Sequence, residues 1–319
     1  MTRVAVTGAS GFIGRQAVIA LAEAGCVVRA CARGSMAVAG AASQLQIRDL
    51  GDADDLARCV ADVDVVLHAA GSAHHNPAGD GKREAEMRRV NVDASIALAS
   101  AAARAGVRRF VFVSSIGVNG HAASRPFAVD SPPAPVDFYA RTKLDAERRL
   151  REVCHDGGLE LVIVRPTLVA GADAPGNLQR LASFIRRGWP LPLLDGAGLR
   201  HLVGVRSLAS LLALACTHAD AAGQLFLAAD DPPLSMADMA REIAAGMQRK
   251  ARFVRVPAGL LGWVAALPGR GRDLGRMRDP LLVDGSAARQ LLGWRAPLSI
   301  QEELRALGLA ARSPRISRK

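Results

Sequence analysis

The chain has 319 residues, half of them hydrophobic, enough for one large domain or two smaller ones with ample apolar material for a core. It carries 41 Lys and Arg against 30 Asp and Glu, a formal charge of +11. The basic residues are nearly all Arg and are spread along the chain without an aromatic-interleaved cluster. That argues against a nucleic-acid binder and leaves anionic small molecules or an acidic membrane surface as fitting partners. The cysteines, Cys26, Cys31, Cys59, Cys154 and Cys216, are odd in number and lack C-x-x-C spacing, which points to free thiols, a reducing compartment and no metal site. Residues 7–11 interrupt the first apolar run, so it does not read as a signal peptide. The apolar stretches at 208–216 and 260–267 fall well short of a membrane span of ~20 residues. The expectation is a cytoplasmic protein with no integral membrane segment.

In chain order, Val4, Ala5 and Val6 form a short apolar run ending in a glycine-rich turn. A helical pattern follows through Ile13, Ala17, Val18 and Leu21 and stops at Gly25. Residues 26–31 read as a strand, 56–60 as a short helix, and 63–67 as a third apolar run. A long helix over 87–105 ends at Gly106; 110–113 is a strand, 137–153 a charged amphipathic helix, and 159–164 a strand. Strands without polar alternation are buried on both faces, the signature of a parallel sheet covered by helices. The rhythm over residues 3–165 predicts a doubly wound α/β fold, a Rossmann domain over 1–165. Residues 166–319 are broken by proline and glycine and read as a smaller mixed α/β substrate-binding part. There, 224–228 is a strand that returns to the main sheet, and helices are expected at 178–187, 207–217, 235–248, 286–292 and 300–307.

The first turn places glycines at Gly8, Gly11 and Gly14, with Ser10, Phe12 and Ile13 between and beside them. A sharp strand-to-helix turn whose backbone must approach a pyrophosphate needs residues without side chains at those places, and the helix start then offers free N–H groups to the phosphates. Where NAD-binding proteins often carry an acid, the end of the second strand has Arg33 instead, which favours NADP(H) over NAD(H). Asp49, after the next apolar run, is a candidate acceptor for the adenine amino group.

Tyr139 is the only tyrosine, and Lys143, one of four lysines, follows four residues later. On a helix these share a face. A nearby cation favours the phenolate of an otherwise weak base, so Tyr139 is the candidate acid/base for a proton that moves opposite to a hydride. Ser115 ends the fourth strand of the sheet and is a candidate hydrogen-bonding partner for the substrate oxygen, with Ser114 as its close neighbour.

Taken in order, the Gly8–Gly11–Gly14 turn, Asp49-Leu50, His68-Ala69-Ala70, Asn91, Ser114-Ser115, Tyr139-x-x-x-Lys143 and Arg165-Pro166 resemble the extended short-chain dehydrogenase/reductases. Within that group they resemble the NAD-dependent epimerase/dehydratases of nucleotide sugars. The resemblance implies cofactor contacts from Gly8, Ser10, Gly11, Phe12, Ile13, Gly14, Arg33, Asp49, Leu50, Ala69, Ala70, Gly71, Asn91, Tyr139, Lys143 and Pro166. It implies substrate contacts from Ser115, Asn177 and Arg200, the last clamping a diphosphate, and a homodimer through helices 87–105 and 137–153. It further implies action at C4 of a UDP-linked N-acetylhexosamine, as a 4-epimerase or a 4-keto-reductase, in surface polysaccharide (O-antigen) synthesis. Ile116-Gly117 follows Ser115 where sugar dehydratases of this kind carry Asp-Glu, so water elimination is disfavoured. A non-catalytic NAD(P)-binding sensor and a reductase of a non-sugar ketone are the other readings.

Overall fold

The structure, a computed structural model, describes residues 1–34, 37–72, 80–122, 125–193, 198–255 and 279–312. The apolar stretch at 260–267 and the basic end of the chain lie outside these residues.

Seven parallel strands form the main sheet: β1 (Arg3–Thr7), β2 (Val27–Ala32), β3 (Ser43–Gln46), β4 (Val65–His68), β5 (Arg109–Val113), β6 (Glu160–Pro166) and β10 (Leu225–Ala228). Their spatial order is β10-β6-β5-β4-β1-β2-β3. The direction of winding reverses between β1 and β4, and the crevice at the carboxyl ends of these strands is where doubly wound sheets take ligands.

Side-chain alternation divides the strands between two cores. Val4, Val6, Val65, Leu67, Val111 and Val113 face one side, with α1 (Phe12–Glu23) and α7 (Val205–Thr217) packed over them. Ala5, Val66, Phe110 and Phe112 face the other, under α2 (Ala53–Val60), α4 (Ala94–Arg104) and α5 (Phe138–Asp156). The central strands are therefore buried on both faces, which explains their unbroken apolar runs. The first core also takes in Phe226 of β10, Leu208 and Leu212 of α7, and Trp294 beyond α9 (Ser286–Leu292), so the carboxyl half of the chain completes the sheet's covering.

The helix expected over 87–105 begins earlier, as α3 (Gly81–Arg88) capped by Asp80, and passes through a π turn (Arg89–Asp93) into α4. Its first turns are too polar to show an apolar period. The helix expected over 137–153 is α5, with Asp137 as N-cap, accepting from the Ala140 N–H at 2.8 Å.

A third core lies between α6 (Asn177–Arg186), α8 (Met236–Gly246) and α10 (Ile300–Ala311). It sits beside a three-stranded sheet in which β9 (Arg200–Gly204) joins β7 (Leu168–Ala170) and β11 (Asp230–Leu234). A parallel pair, β8 (Leu191–Leu193) and β12 (Phe253–Arg255), flanks it. Among the described residues no helix is long and apolar enough to cross a membrane, and no three His, Cys, Asp or Glu side chains gather as a metal site.

Candidate active site

The turn between β1 and α1 is built by backbone contact. Gly8 has φ +70°, and a Cβ there would lie 2.7 Å from the Ala70 nitrogen. A Cβ on Gly14 would lie 2.1 Å from the Gly8 carbonyl oxygen. The turn, the first turn of α1 and the end of β4 are thus as close as backbones can come, and only glycine permits it. Gly11 caps α1 without a side-chain hydrogen bond, which leaves the helix's first N–H groups open to an anion. Arg15 pairs with Asp173 at 3.4 Å, joining this turn to the 171–177 segment.

At the end of β4 a buried chain of polar groups fixes the crevice floor. Ser95 Oγ donates to the Asn91 carbonyl at 2.9 Å, so its oxygen is left to accept from His68 Nε2, also at 2.9 Å. His68 Nδ1 then accepts from the Thr7 hydroxyl at 2.6 Å. Burial, with Lys143 nearby, pushes the His68 imidazole down to about 3. A group held neutral in this way contributes its stability fully above its unfolded value of 6.5 and loses it as pH falls toward 3. We expect the wild-type chain to lose about 2 kcal/mol more than His68→Gln between pH 7 and pH 5. Urea unfolding midpoints at the two pH values measure this, and equal losses would remove His68 as the cause.

The π turn aims Asn91 at two elements at once. Its Oδ1 accepts from the Ser72 N–H at 2.8 Å, and its Nδ2 donates to the Ser72 carbonyl at 3.0 Å and to Thr142 Oγ1 at 3.1 Å. The strand-end loop 69–72 and α5 are thereby clamped together. Gly71 completes the junction: a Cβ there would lie 3.3 Å from Asn91 Oδ1 and 3.4 Å from Lys143 Nζ.

Lys143 is buried, donates to the Val113 carbonyl at 2.9 Å, and lies over the Phe112 ring at 4.5 Å. Burial pushes it down to about 8, against the opposing charge of Glu147. Tyr139, one turn earlier and half-buried, is pushed up to about 12 by burial and by Asp137.

Ser115 and Ser114 part company. Ser114 Oγ donates to Glu147 Oε1 at 2.5 Å, inside the protein. Ser115 is half-buried on the crevice side, and its Oγ accepts from the Gly117 N–H at 3.1 Å. A Cβ on Gly117 would touch both Ser115 Oγ and Ala140, at 3.3 and 3.4 Å, so Ser115 lies near the first turn of α5.

Asp49 is held by the Gly51 N–H at 3.0 Å and by Arg89 at 2.9 and 2.6 Å, which together keep its carboxyl below the usual range. Arg33 is exposed and acts on Asp49 through its charge. Ser10, Phe12, Ile13, Leu50 and Ala69 are partly exposed around the crevice, and Pro166 ends β6. Asn177 is exposed as the first residue of α6. Arg200 donates to the Asp279 carbonyl at 2.7 Å and the His121 carbonyl at 3.2 Å, which sets it beside the loop after Ser115.

The matches to known proteins agree with this geometry. The profile of the NAD dependent epimerase/dehydratase family matches residues 4–228. The chain belongs to that family. A UDP-glucose 4-epimerase of Vibrio cholerae is 30% identical over 303 residues, 94% of this chain and 92% of the relative. An N-acetyl-α-D-glucosaminyl-diphospho-ditrans,octacis-undecaprenol 4-epimerase of Escherichia coli O157:H7 is 26% identical over 221 residues, covering 68% of this chain and 65% of the relative. Among solved structures, MoeE5 in complex with UDP-glucuronic acid and NAD superposes with a TM-score of 0.78 at 25% identity, covering 98% and 99% of the two chains. The family match ends with Ala228, the last residue of β10, so it spans the whole seven-stranded sheet of this epimerase/dehydratase enzyme. The glycine cradle and the open α1 start fit the NAD(P) cofactor of the family.

Sequence reasoning missed two polar pairs that frame the site. His121 Nε2 meets Asp137 Oδ2 at 2.9 Å. Arg165 donates to Glu147 through Nε at 2.8 Å and Nη2 at 2.6 Å, and to Asn119 Oδ1 at 2.9 Å. Glu147 was within reach of sequence, because it stands four residues beyond Lys143 on the face that carries Tyr139.

Proposed function

We propose that this chain exchanges hydride and proton at C4 of a UDP-linked N-acetylhexosamine, as a 4-epimerase, in surface polysaccharide synthesis. The carrying observation is α5, which holds Tyr139 one turn before buried Lys143, whose Nζ reaches the Val113 carbonyl at the end of β5, two residues before Ser115. The Vibrio cholerae relative and the UDP-sugar complex of the solved neighbour support the substrate class. When bound, the nicotinamide cofactor supplies the hydride acceptor and donor. Gly8, Ser10, Gly11, Phe12, Ile13 and Gly14 hold its diphosphate, Asp49 and Leu50 its adenine, and Ala69, Ala70, Gly71, Asn91, Lys143 and Pro166 its remainder.

Tyr139 Oη takes the proton of the C4 hydroxyl and returns it, and Ser115 Oγ hydrogen-bonds the same oxygen. The positive charge of Lys143 opposes the upward push of burial on the phenol. Arg200 and Asn177 face the diphosphate and the sugar, dividing the chain into a cofactor part over 1–165 and a substrate part over 166–319. A homodimer through α3–α4 and α5 completes the reading, checked by light scattering in solution.

Arg33 favours a second reading, a 4-keto-reductase that uses NADP(H), because a guanidinium there suits a 2′-phosphate. Incubation with UDP-N-acetylglucosamine, and separately with its 4-keto-6-deoxy derivative and NADPH, tests both. Product stereochemistry by NMR and the NADPH absorbance are followed. Interconversion of the 4-epimers without net NADPH loss supports the epimerase, and stoichiometric oxidation supports the reductase. Turnover of neither, with turnover of an apolar ketone, overturns the sugar reading.

A further inference from the structure

One face of the molecule combines exposed aromatic rings with cations that have no acidic partner. Arg180 and Phe184 of α6, and Arg187 just beyond its end, are exposed. The rings of Phe184 and Trp189, 40% and 52% exposed, stack at 5.4 Å, and the Arg187 guanidinium lies over the indole at 5.3 Å. Beyond Trp189, exposed Pro192 of β8 lies opposite Val254 of β12, itself 50% exposed. Arg249 donates to the Arg186 carbonyl at 2.6 Å, which brings Arg249, Lys250 and Arg252 onto the same side.

Residues 174–193 and 243–255 contain seven Lys and Arg and not one Asp or Glu. Among the described residues, Arg180, Arg186, Arg187, Arg249, Lys250 and Arg252 make no ion pair. Elsewhere arginines such as Arg58, Arg83, Arg88 and Arg89 each reach a carboxylate. These two segments therefore bring unbalanced positive charge to one face, beside apolar surface.

We propose that this face docks on an anionic lipid bilayer. The indole is favoured at the level of lipid headgroups, where one part of the ring is apolar and the other wet, and the phenyl ring beside it supplies apolar area to bury. Unpaired arginines gain most from a negative surface, because no internal carboxylate has to be displaced. The indole is already flanked by Phe184 and Arg187, which disfavours base stacking and with it a nucleic acid. A groove of about 610 Å³, lined by Gly176, Arg180, Phe184 and Arg187 among others, runs along this face. On the reading that the chain serves surface polysaccharide synthesis, docking sets the sugar-binding segment beside the membrane on which that polysaccharide is built. The docking itself does not depend on that reading.

The test is flotation of the full chain with vesicles of phosphatidylcholine alone and of phosphatidylcholine with an equal part of phosphatidylglycerol, without substrate. Binding to the anionic vesicles, weakened by salt, is expected. Phe184→Ser with Trp189→Ser, and separately Arg186→Glu with Arg187→Glu, should each weaken it by about tenfold or more. Arg58→Glu with Arg83→Glu, the same charge change at paired sites, should weaken it by less than about threefold. Far-UV circular dichroism and NADH titration establish that the variants are folded, and Trp189→Ser alone replaces any double variant that is not. Absence of binding to anionic vesicles, or binding that survives both double variants, overturns the proposal.

Discussion

Tyr139→Phe should lower turnover of the sugar nucleotide by roughly a thousandfold, the span of a lost general acid/base, while cofactor affinity stays within about twofold. The phenol oxygen is the single atom removed, and the ring keeps its packing in the first turn of α5. The expectation is sharpened by the environment of the residue. Burial and Asp137 push the phenol up to about 12, so proton transfer at neutral pH depends on positive charge brought beside it. Lys143 is pushed down to about 8 and so remains mostly cationic at pH 7. Lys143→Met should therefore also depress turnover, and its loss should steepen the dependence on alkaline pH. Steady-state rates with UDP-N-acetylglucosamine, and NADH binding followed by fluorescence, measure both. A loss of less than about tenfold in Tyr139→Phe would remove this residue from proton transfer.

The largest effect on stability is expected from Glu147→Ala. Arg165 is buried, and two of its nitrogens rest on the Glu147 carboxylate, which also accepts from Ser114. Truncating Glu147 leaves a guanidinium inside the protein with only Asn119 to receive it, at a cost of about 3–5 kcal/mol. The urea midpoint should drop accordingly at unchanged slope. Glu152→Ala, on the exposed side of the same helix, should change stability by less than about 0.5 kcal/mol. Comparable midpoints for the two variants would show that Arg165 finds other partners or water.

The parts legible in the sequence were those in which chemistry repeats along the chain. The glycine turn announces itself because three positions in one short segment refuse a side chain. β4 and β5 announce themselves because burial on both faces erases polar alternation. The face of α5 follows from the spacing of Tyr139 and Lys143. β3 was seen only as a short apolar run before Asp49, because Ser43–Gln46 is an edge strand with polar residues and one Leu. β11 was missed because Asp230–Leu234 contains two prolines and reads as a turn. The pairs His121–Asp137 and Arg165–Glu147 join segments 16 and 18 residues apart, and no local period encodes them. The preference of Ser115 over Ser114 for the crevice could be stated from strand position, but only the partners of each hydroxyl separate them.

The π turn at Arg89–Asp93 carries a consequence for how this helix tolerates length changes. A π turn closes its hydrogen bond one residue later than an α turn, as the Ala94 N–H to the Arg89 carbonyl does here. The segment thus holds one residue of slack, and deleting Val90 would let an uninterrupted α-helix form. Every residue upstream would then be rotated by about 100° relative to α4. Arg89 would swing away from Asp49, and the polar residues of α3 would turn toward α5. The shortened helix would be the more regular one and would no longer fit the crevice, so the irregularity works as a keyway that fixes α3 in rotation.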